Sequence, residues 1–326
     1  MIKRDVIVIG ASAGGVGVLQ KVLRDLPSTF GGSVFIVCHT AASAPHTLAS
    51  VLATDCALPV EYAVDDTRLE PGTVKVAIPD LHLVFGGERV RLTRGPKQNR
   101  TRPAIDPLFR SAARSFGPRV VGVVLSGLLD DGAAGLLAVK RQHGITIVQD
   151  PADARYPDMP QNALAATKVD HCVPAAQIGT LLTRVSQGTP GQLERADVPR
   201  VLELETDSDG GKMVPMEEFG KPSGYSCPEC SGVLWEIDDP ALLRFRCRVG
   251  HVFSAEGLRK EHRILTEDTL WAAARALGES ASFARRMAER YRKNDLTEAA
   301  EDQLRRAERD EEHAAKISGV LAETEG

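Results

Sequence analysis

Short, nearly continuous apolar runs alternate with stretches of helical spacing from Asp5 to about residue 186. The runs Asp5–Ile9, Ser33–Cys38, Thr73–Ile78, Arg89–Thr93, Arg119–Leu125, Ile145–Gln149 and His171–Val173 are read as strands. Several are Val/Ile segments without a polar break, the pattern of strands buried on both faces of a parallel sheet. Between them, Gly15–Leu26, His46–Ala53, Pro107–Ser115, Ala133–Gln142, Gln161–Thr167 and Ala176–Val185 carry the amphipathic repeat of helices. This alternation predicts a three-layer α/β sandwich with a mostly parallel sheet and right-handed crossovers. Turn-separated strands between Thr73 and Thr93 predict a hairpin at one sheet edge.

The pattern then changes. Residues 188–222 are rich in Gly, Pro, Ser and acidic residues and read as a linker with a short strand at Val201–Leu204. Residues 223–254 carry a cysteine cluster around strand-like segments Val233–Ile237 and Leu243–Arg246. Residues 255–326 have helical spacing, and Asn294-Asp295 divides them into a helical hairpin. Its apolar positions Leu265, Leu270, Ala273, Leu277, Leu304, Ala307, Ala314, Ile317 and Leu321 either pack within the protein or receive a regulator. Three domains and a linker are therefore expected: 1–187, the linker at 188–222, 223–254 and 255–326.

Composition narrows the function classes. The 326 residues are 43% hydrophobic and 26% charged, with net charge −4. That balance gives no global basic field for nucleic acid. The apolar run before Gly10 is too short to span a membrane, and it lacks a secretory cleavage site. A cytoplasmic protein with no membrane insertion is expected. Cys227, Cys230 and Cys247 cluster in a way that suggests metal rather than disulfides.

The first strand runs directly into Gly10-Ala11-Ser12-Ala13-Gly14-Gly15, a Gly-x-Ser-x-Gly turn. Its glycines permit a sharp bend that exposes the Ser12 hydroxyl at the strand's carboxyl end, beside the positive end of a helix. Such a turn also serves phosphates, dinucleotides or nothing at all. No Lys-Ser/Thr follows the glycines, so it is not a P-loop. His39 and Asp131 also follow predicted strands, which puts all three on one rim of a parallel sheet. A hydroxyl, an imidazole and a carboxylate gathered there suit acyl transfer. Taken singly, His39 reads as readily as a surface or capping residue, and Asp130 or Asp131 as a helix cap.

These segments resemble the catalytic domain of the chemotaxis protein-glutamate methylesterases, the CheB type, over roughly residues 3–187. The resemblance rests on Val8 to Gly15, the strand ending in His39, Leu69-Glu70-Pro71-Gly72-Thr73, Arg102 to Phe109, Leu125 to Ala133, and Gln149-Asp150 through Met159-Pro160. It implies a doubly wound α/β domain with Ser12 as nucleophile, His39 as general base and Asp131 as its orienting partner. Backbone N–H groups of Ala13 and Leu128 would hold the oxyanion, and no cofactor is needed for that step. The family demethylates receptor glutamates with release of methanol, and members deamidate receptor glutamines. A methylated chemoreceptor or another methylated protein is the implied partner.

Departures are visible. Family enzymes usually carry an N-terminal receiver domain, whereas here the catalytic segment begins at residue 3, so control by a receiver is expected to be absent. Ala13, Thr40-Ala41 and Leu128-Leu129-Asp130 stand where Thr, Met-Pro and Met-Gly-Asn are common. The altered rim leaves open a hydrolase of other esters or amides, or a non-catalytic signalling adaptor. The set Cys227, Cys230, Cys247 and His251 reads as a structural zinc ribbon of Cys3His type, against the alternative of free surface thiols. The basic loop Arg94, Lys97, Arg100, Arg102 either steers an acidic substrate or is an exposed turn.

Overall fold

The computed structural model describes residues 3–188 and 198–324. In chain order the elements are β1 (Val6–Ala11), α1 (Gly15–Arg24), β2 (Ser33–Cys38), α2 (Leu48–Ala53), β3 (Val60–Tyr62), β4 (Val74–Val76), β5 (His82–Gly86) and β6 (Arg89–Thr93). There follow α3 (Ile105–Phe116), β7 (Val120–Val124), α4 (Ala133–Arg141), β8 (Ile145–Gln149), α5 (Asp158–Ala166), β9 (His171–Val173) and α6 (Ala175–Gln187). Beyond them lie α7 (Arg200–Asp209), α8 (Met216–Phe219), β10 (Gly220–Ser226), β11 (Val233–Ile237), β12 (Arg244–Cys247), β13 (Val252–Ser254), α9 (Ala255–Arg292) and α10 (Thr297–Thr324).

The main sheet has the order β3-β4-β2-β1-β7-β8-β9, and every pairing in it is parallel. Successive side chains of β1 feed opposite faces. Val6 and Val8 enter a core with Leu108 and Phe109 of α3 and Leu136 of α4. Ile7 and Ile9 enter a second core with Leu19 and Leu23 of α1 and Ile178 and Leu182 of α6. Residues buried on both faces explain why β1, β2 and β7 read as unbroken apolar runs. The chain winds outward from β1 in one direction and from β7 in the other, so a crevice opens at their carboxyl ends.

Two expectations are corrected. The hairpin β5–β6 does not extend the sheet edge but forms its own two-stranded sheet. Leu83, Phe85 and Val90 join the α3-side core, and the Phe85 N–H bonds the Ser111 hydroxyl at 3.0 Å. The edge belongs to β3, a three-residue strand too short to leave a pattern. The segment Val201–Leu204, expected as a strand inside a linker, lies within helix α7. Leu202, Glu205 and Asp209 are buried on one face of α7 at helical spacing. Residues 189–197 of that expected linker lie outside the described residues.

The cysteine-bearing segment is a four-stranded antiparallel sheet in the order β10-β11-β12-β13. The described residues form two compact units, Met1–Gly257 and Leu258–Gly326. The ribbon sheet and α7 fall in the same compact unit as the large sheet. The second unit is a helical hairpin with Ala281, Ala284 and Ala307 at its centre. Ser280 bonds Asp310 at 2.7 Å and Arg285 grips Glu311 at 2.7 and 2.6 Å across it. Leu265, one of the apolar positions read as packing or as receiving a regulator, is exposed.

Candidate active site

Ser12 follows β1, His39 follows β2, and Asp131 lies in the loop between β7 and α4. Backbone bonds lock the three segments together. The Ser12 N–H donates to Ser126 O at 3.0 Å and the His39 N–H to Ala11 O at 3.1 Å. Gly14 adopts φ 71°, the left-handed conformation that lets the chain turn from strand to helix with Ser12 at the bend.

The side chains form one hydrogen-bonded series. His39 Nδ1 lies 3.1 Å from Ser12 Oγ, and His39 Nε2 lies 2.8 Å from Asp131 Oδ2. An ionised carboxylate only accepts, so Nε2 carries the proton and Nδ1 offers its lone pair to the serine hydroxyl. Asp131 is 2% exposed. Its carboxylate also accepts the Ile105 N–H at 2.7 Å, the Asp106 N–H at 3.1 Å and Asn99 Nδ2 at 3.1 Å. The first two are unsatisfied donors at the positive end of α3. Burial pushes the Asp131 carboxyl up, but the His39 bond and charge, with the Ile105 and Asn99 bonds, outweigh it and hold it below the ordinary carboxylate value.

Asp106 is the reciprocal piece. It sits in the first turn of α3, and its Oδ1 accepts the Gly132 and Gly135 N–H groups at 3.0 and 2.7 Å, at the start of α4. Each helix is thus capped by the carboxylate that precedes or opens the other. Burial, then the neighbouring Asp131 charge, raise Asp106 well above the ordinary value. Asn99 Nδ2 lies 3.1 Å from Asp106 Oδ2 as well as from Asp131, bridging the two carboxylates. Asp130 makes no bond to His39; its carbonyl accepts the Ala133 N–H at 3.1 Å.

The backbone N–H groups of Ala13 and Leu128 donate to no protein acceptor among the described residues. Leu128 is 44% exposed. Ser126 braces this rim: its hydroxyl donates to Ala13 O at 2.9 Å and accepts the Tyr156 N–H at 3.1 Å.

Asn99, Thr101, Asp106 and His82 were not picked out by sequence reasoning. Thr101 Oγ1 lies 3.3 Å from His39 Nε2. His82, 2% exposed, bonds Pro96 O through Nε2 at 2.9 Å and accepts the Ala104 N–H through Nδ1 at 3.2 Å. Within the basic loop, Arg94 and Arg102 both pair with Asp80, at 2.7 and 2.5 Å. Asp106 alone had a sequence signal, an acid opening an apolar helix beside a proline.

A second cluster gathers Cys227, Cys230, Cys247 and His251, whose ligand atoms all lie within 4.8 Å of one another. Two knuckles present them. Ser231 N–H bonds Cys227 O at 2.8 Å, and Gly250 N–H bonds Cys247 O at 2.9 Å. The donor set can hold a metal ion.

The family model for CheB methylesterase matches residues 7–182. A protein-glutamate methylesterase/protein-glutamine glutaminase of Bordetella avium is 38% identical over 180 residues, which are 55% of this chain and 53% of that protein. A Leptospira interrogans protein with a provisional form of the same name is 34% identical over 184 residues and is 95% covered. The chain thus spans about half the length of some curated relatives and nearly all of others. The crystal structure of the Thermotoga maritima CheB methylesterase catalytic domain superposes with TM-score 0.53 at 29% identity, over 55% of this chain and 97% of that one. The ribbon sheet and the helical hairpin lie beyond the family match.

Proposed function

From the premise that the chain belongs to the CheB methylesterase family, we propose that it hydrolyses glutamate methyl esters on a methylated chemoreceptor or a similar signalling protein. The observation that carries this reading is the unbroken series Ser12–His39–Asp131. His39 Nδ1 takes the hydroxyl proton as Ser12 Oγ attacks the ester carbonyl. Asp131 faces the imidazolium and stays ionised. The Ala13 and Leu128 amides hold the oxyanion as the tetrahedral intermediate forms. His39 then returns the proton to the departing methoxide, and methanol leaves. Water attacks the acyl-serine by the same path in reverse, releasing the glutamate carboxylate. A glutamine side chain would follow the same course with ammonia leaving.

Methanol release from methylated receptor tests this. Ser12→Ala is expected to lose at least about 10³-fold in kcat. Equal rates for the two proteins would end the proposal. Turnover of generic aryl esters alone would reassign the substrate to other esters or amides.

The cysteine ribbon is proposed to hold one structural zinc through Cys227, Cys230, Cys247 and His251 Nδ1. A tetrahedral zinc with bonds of about 2.3 Å to sulfur and 2.0 Å to nitrogen spaces its ligands about 3.8 Å (S···S) and 3.5 Å (S···N) apart. The Cys230–Cys247 separation is 3.6 Å, and His251 Nδ1 is 3.6 and 3.5 Å from Cys227 and Cys247. The helical hairpin is assigned to docking a regulator, since Trp271 and Phe283 are half or more exposed on it.

A further inference from the structure

The turn Gln98-Asn99-Arg100-Thr101 touches both the triad and the ribbon. Gln98 and Thr101 exchange backbone bonds of 3.2 and 2.9 Å, and Asn99 and Arg100 have φ of 45° and 68°. That is a two-residue hairpin turn with both central residues left-handed. Asparagine tolerates this conformation; arginine is strained in it, so its surroundings must hold it.

On one side the turn faces the chemistry. The Asn99 amide has two N–H donors, one for each of Asp131 and Asp106, and the Thr101 hydroxyl stands beside His39 Nε2. On the other side it sits on the His251 knuckle. The Asn99 backbone N–H donates to Val252 O at 2.9 Å, and Gln98 forms a parallel bridge with Val252. Pro96 packs so closely on Gly250, at φ 109°, that a Cβ there would come 2.9 Å from Pro96 Cγ. Val252 directly follows a ribbon ligand, so whatever fixes His251 fixes the carbonyl that receives Asn99.

We propose that Asn99 is a positioning residue for the Ser12–His39–Asp131 series, and that the Gly250–Val252 knuckle of the ribbon holds it in place. The ribbon is then a working part of the esterase: displacing its knuckle misaligns the carboxylate that orients His39. This rests on the reading of Ser12 as nucleophile. The charged groups around the His39–Asp131 pair are Asp106, with Arg110 and Arg244 behind it, and Asp130, with Glu256 beside it. None of them replaces the Asn99 donor.

The test is labelling of Ser12 by an alkyl phosphonofluoridate, followed by intact mass across pH 5.5–9 with the full chain. In that step Ser12 Oγ bonds to phosphorus, the P–F bond breaks, fluoride leaves and His39 takes the serine proton. Removing the amide donor concentrates charge on Asp131 and favours the imidazolium. His39 must be neutral to act, so the acid limb of the rate profile moves to higher pH. Asn99→Ala is expected to label about 10-fold more slowly at pH 7, with the limb moved up. Gly250→Ala, which pushes on Pro96, is expected to give the same slowing and the same limb shift. The double variant is expected to be no slower than the worse single, because both act through one contact. Wild-type rates and limb in Asn99→Ala overturn the proposal, and strictly additive losses overturn the ribbon's part in it. Labelling of Ser12→Ala as fast as wild type would instead remove the nucleophile reading and this inference with it.

Discussion

Gly127 faces Ser12 across the crevice. A Cβ there would lie 2.0 Å from Met159 Sδ and 2.7 Å from Ser12 Cβ. Met159 is fully buried, so it has little room to yield. Gly127→Ala is therefore expected to push Ser12 off line and to lower kcat/KM by about 10- to 100-fold in an ester assay. Unchanged turnover would show that the crevice relaxes freely. His82 gives a pH prediction at the same scale. Its two bonds require the neutral ring, and burial pushes its pKa below the ordinary value, against the pull of the Pro96 carbonyl, Asp209 and Asp131. A depressed pKa means that the unfolded chain binds the proton first. The stability tied to His82 is thus complete above about pH 6.5 and is lost as pH falls through the folded value. The melting-temperature gap between wild type and His82→Gln is expected to narrow from pH 7.5 to 5; a constant gap contradicts this.

Among elements, α7 shows how a segment reads one way and folds another. Val201-Leu202 and Leu204 suggested a short strand, and the acidic, glycine-rich residues around it suggested a linker. Instead α7 presents acids to buried arginines. Arg110 of α3, 1% exposed, meets Asp209 at 2.9 Å and Glu205 at 3.6 Å, and Arg244 of β12 meets Glu205 at 2.6 Å. Burial pushes the Glu205 carboxyl up, but the Arg110 and Arg244 charges hold it below the ordinary value. Charged residues in isolation read as surface, and only the packing shows that these neutralise one another inside. Asp209→Ala would leave Arg110 and Gln98 without a partner they share. A loss of about 3–5 kcal/mol is expected in urea denaturation, the usual result of removing one partner of a buried ion pair. A loss near zero would mean that water reaches the cluster.

For the whole molecule, the ribbon sheet and the large sheet fall in one unit, so a metal held by the proposed Cys3His site would be coupled to the fold. Protein purified without chelator is expected to carry about one zinc per chain, and chelation is expected to lower its melting temperature. Metal analysis finding none would refute the zinc assignment. Among the described residues no helix is long and apolar enough to cross a membrane.

The parallel core was legible because each strand buries both faces and so repeats Val and Ile without interruption. That Ser12, His39 and Asp131 meet was legible because each lies beyond the carboxyl end of a strand, and a parallel sheet gathers those ends. The Cys3His set was legible because knuckle spacing is local. Side chains brought together from distant turns were not. Asn99 bridging Asp106 and Asp131, His82 tying Pro96 to Ala104, and the arginines meeting α7 depend on crossovers between segments up to a hundred residues apart. Hydrophobic periodicity and short spacings are written along the chain; the partners of a buried polar atom are set only when the chain closes around it.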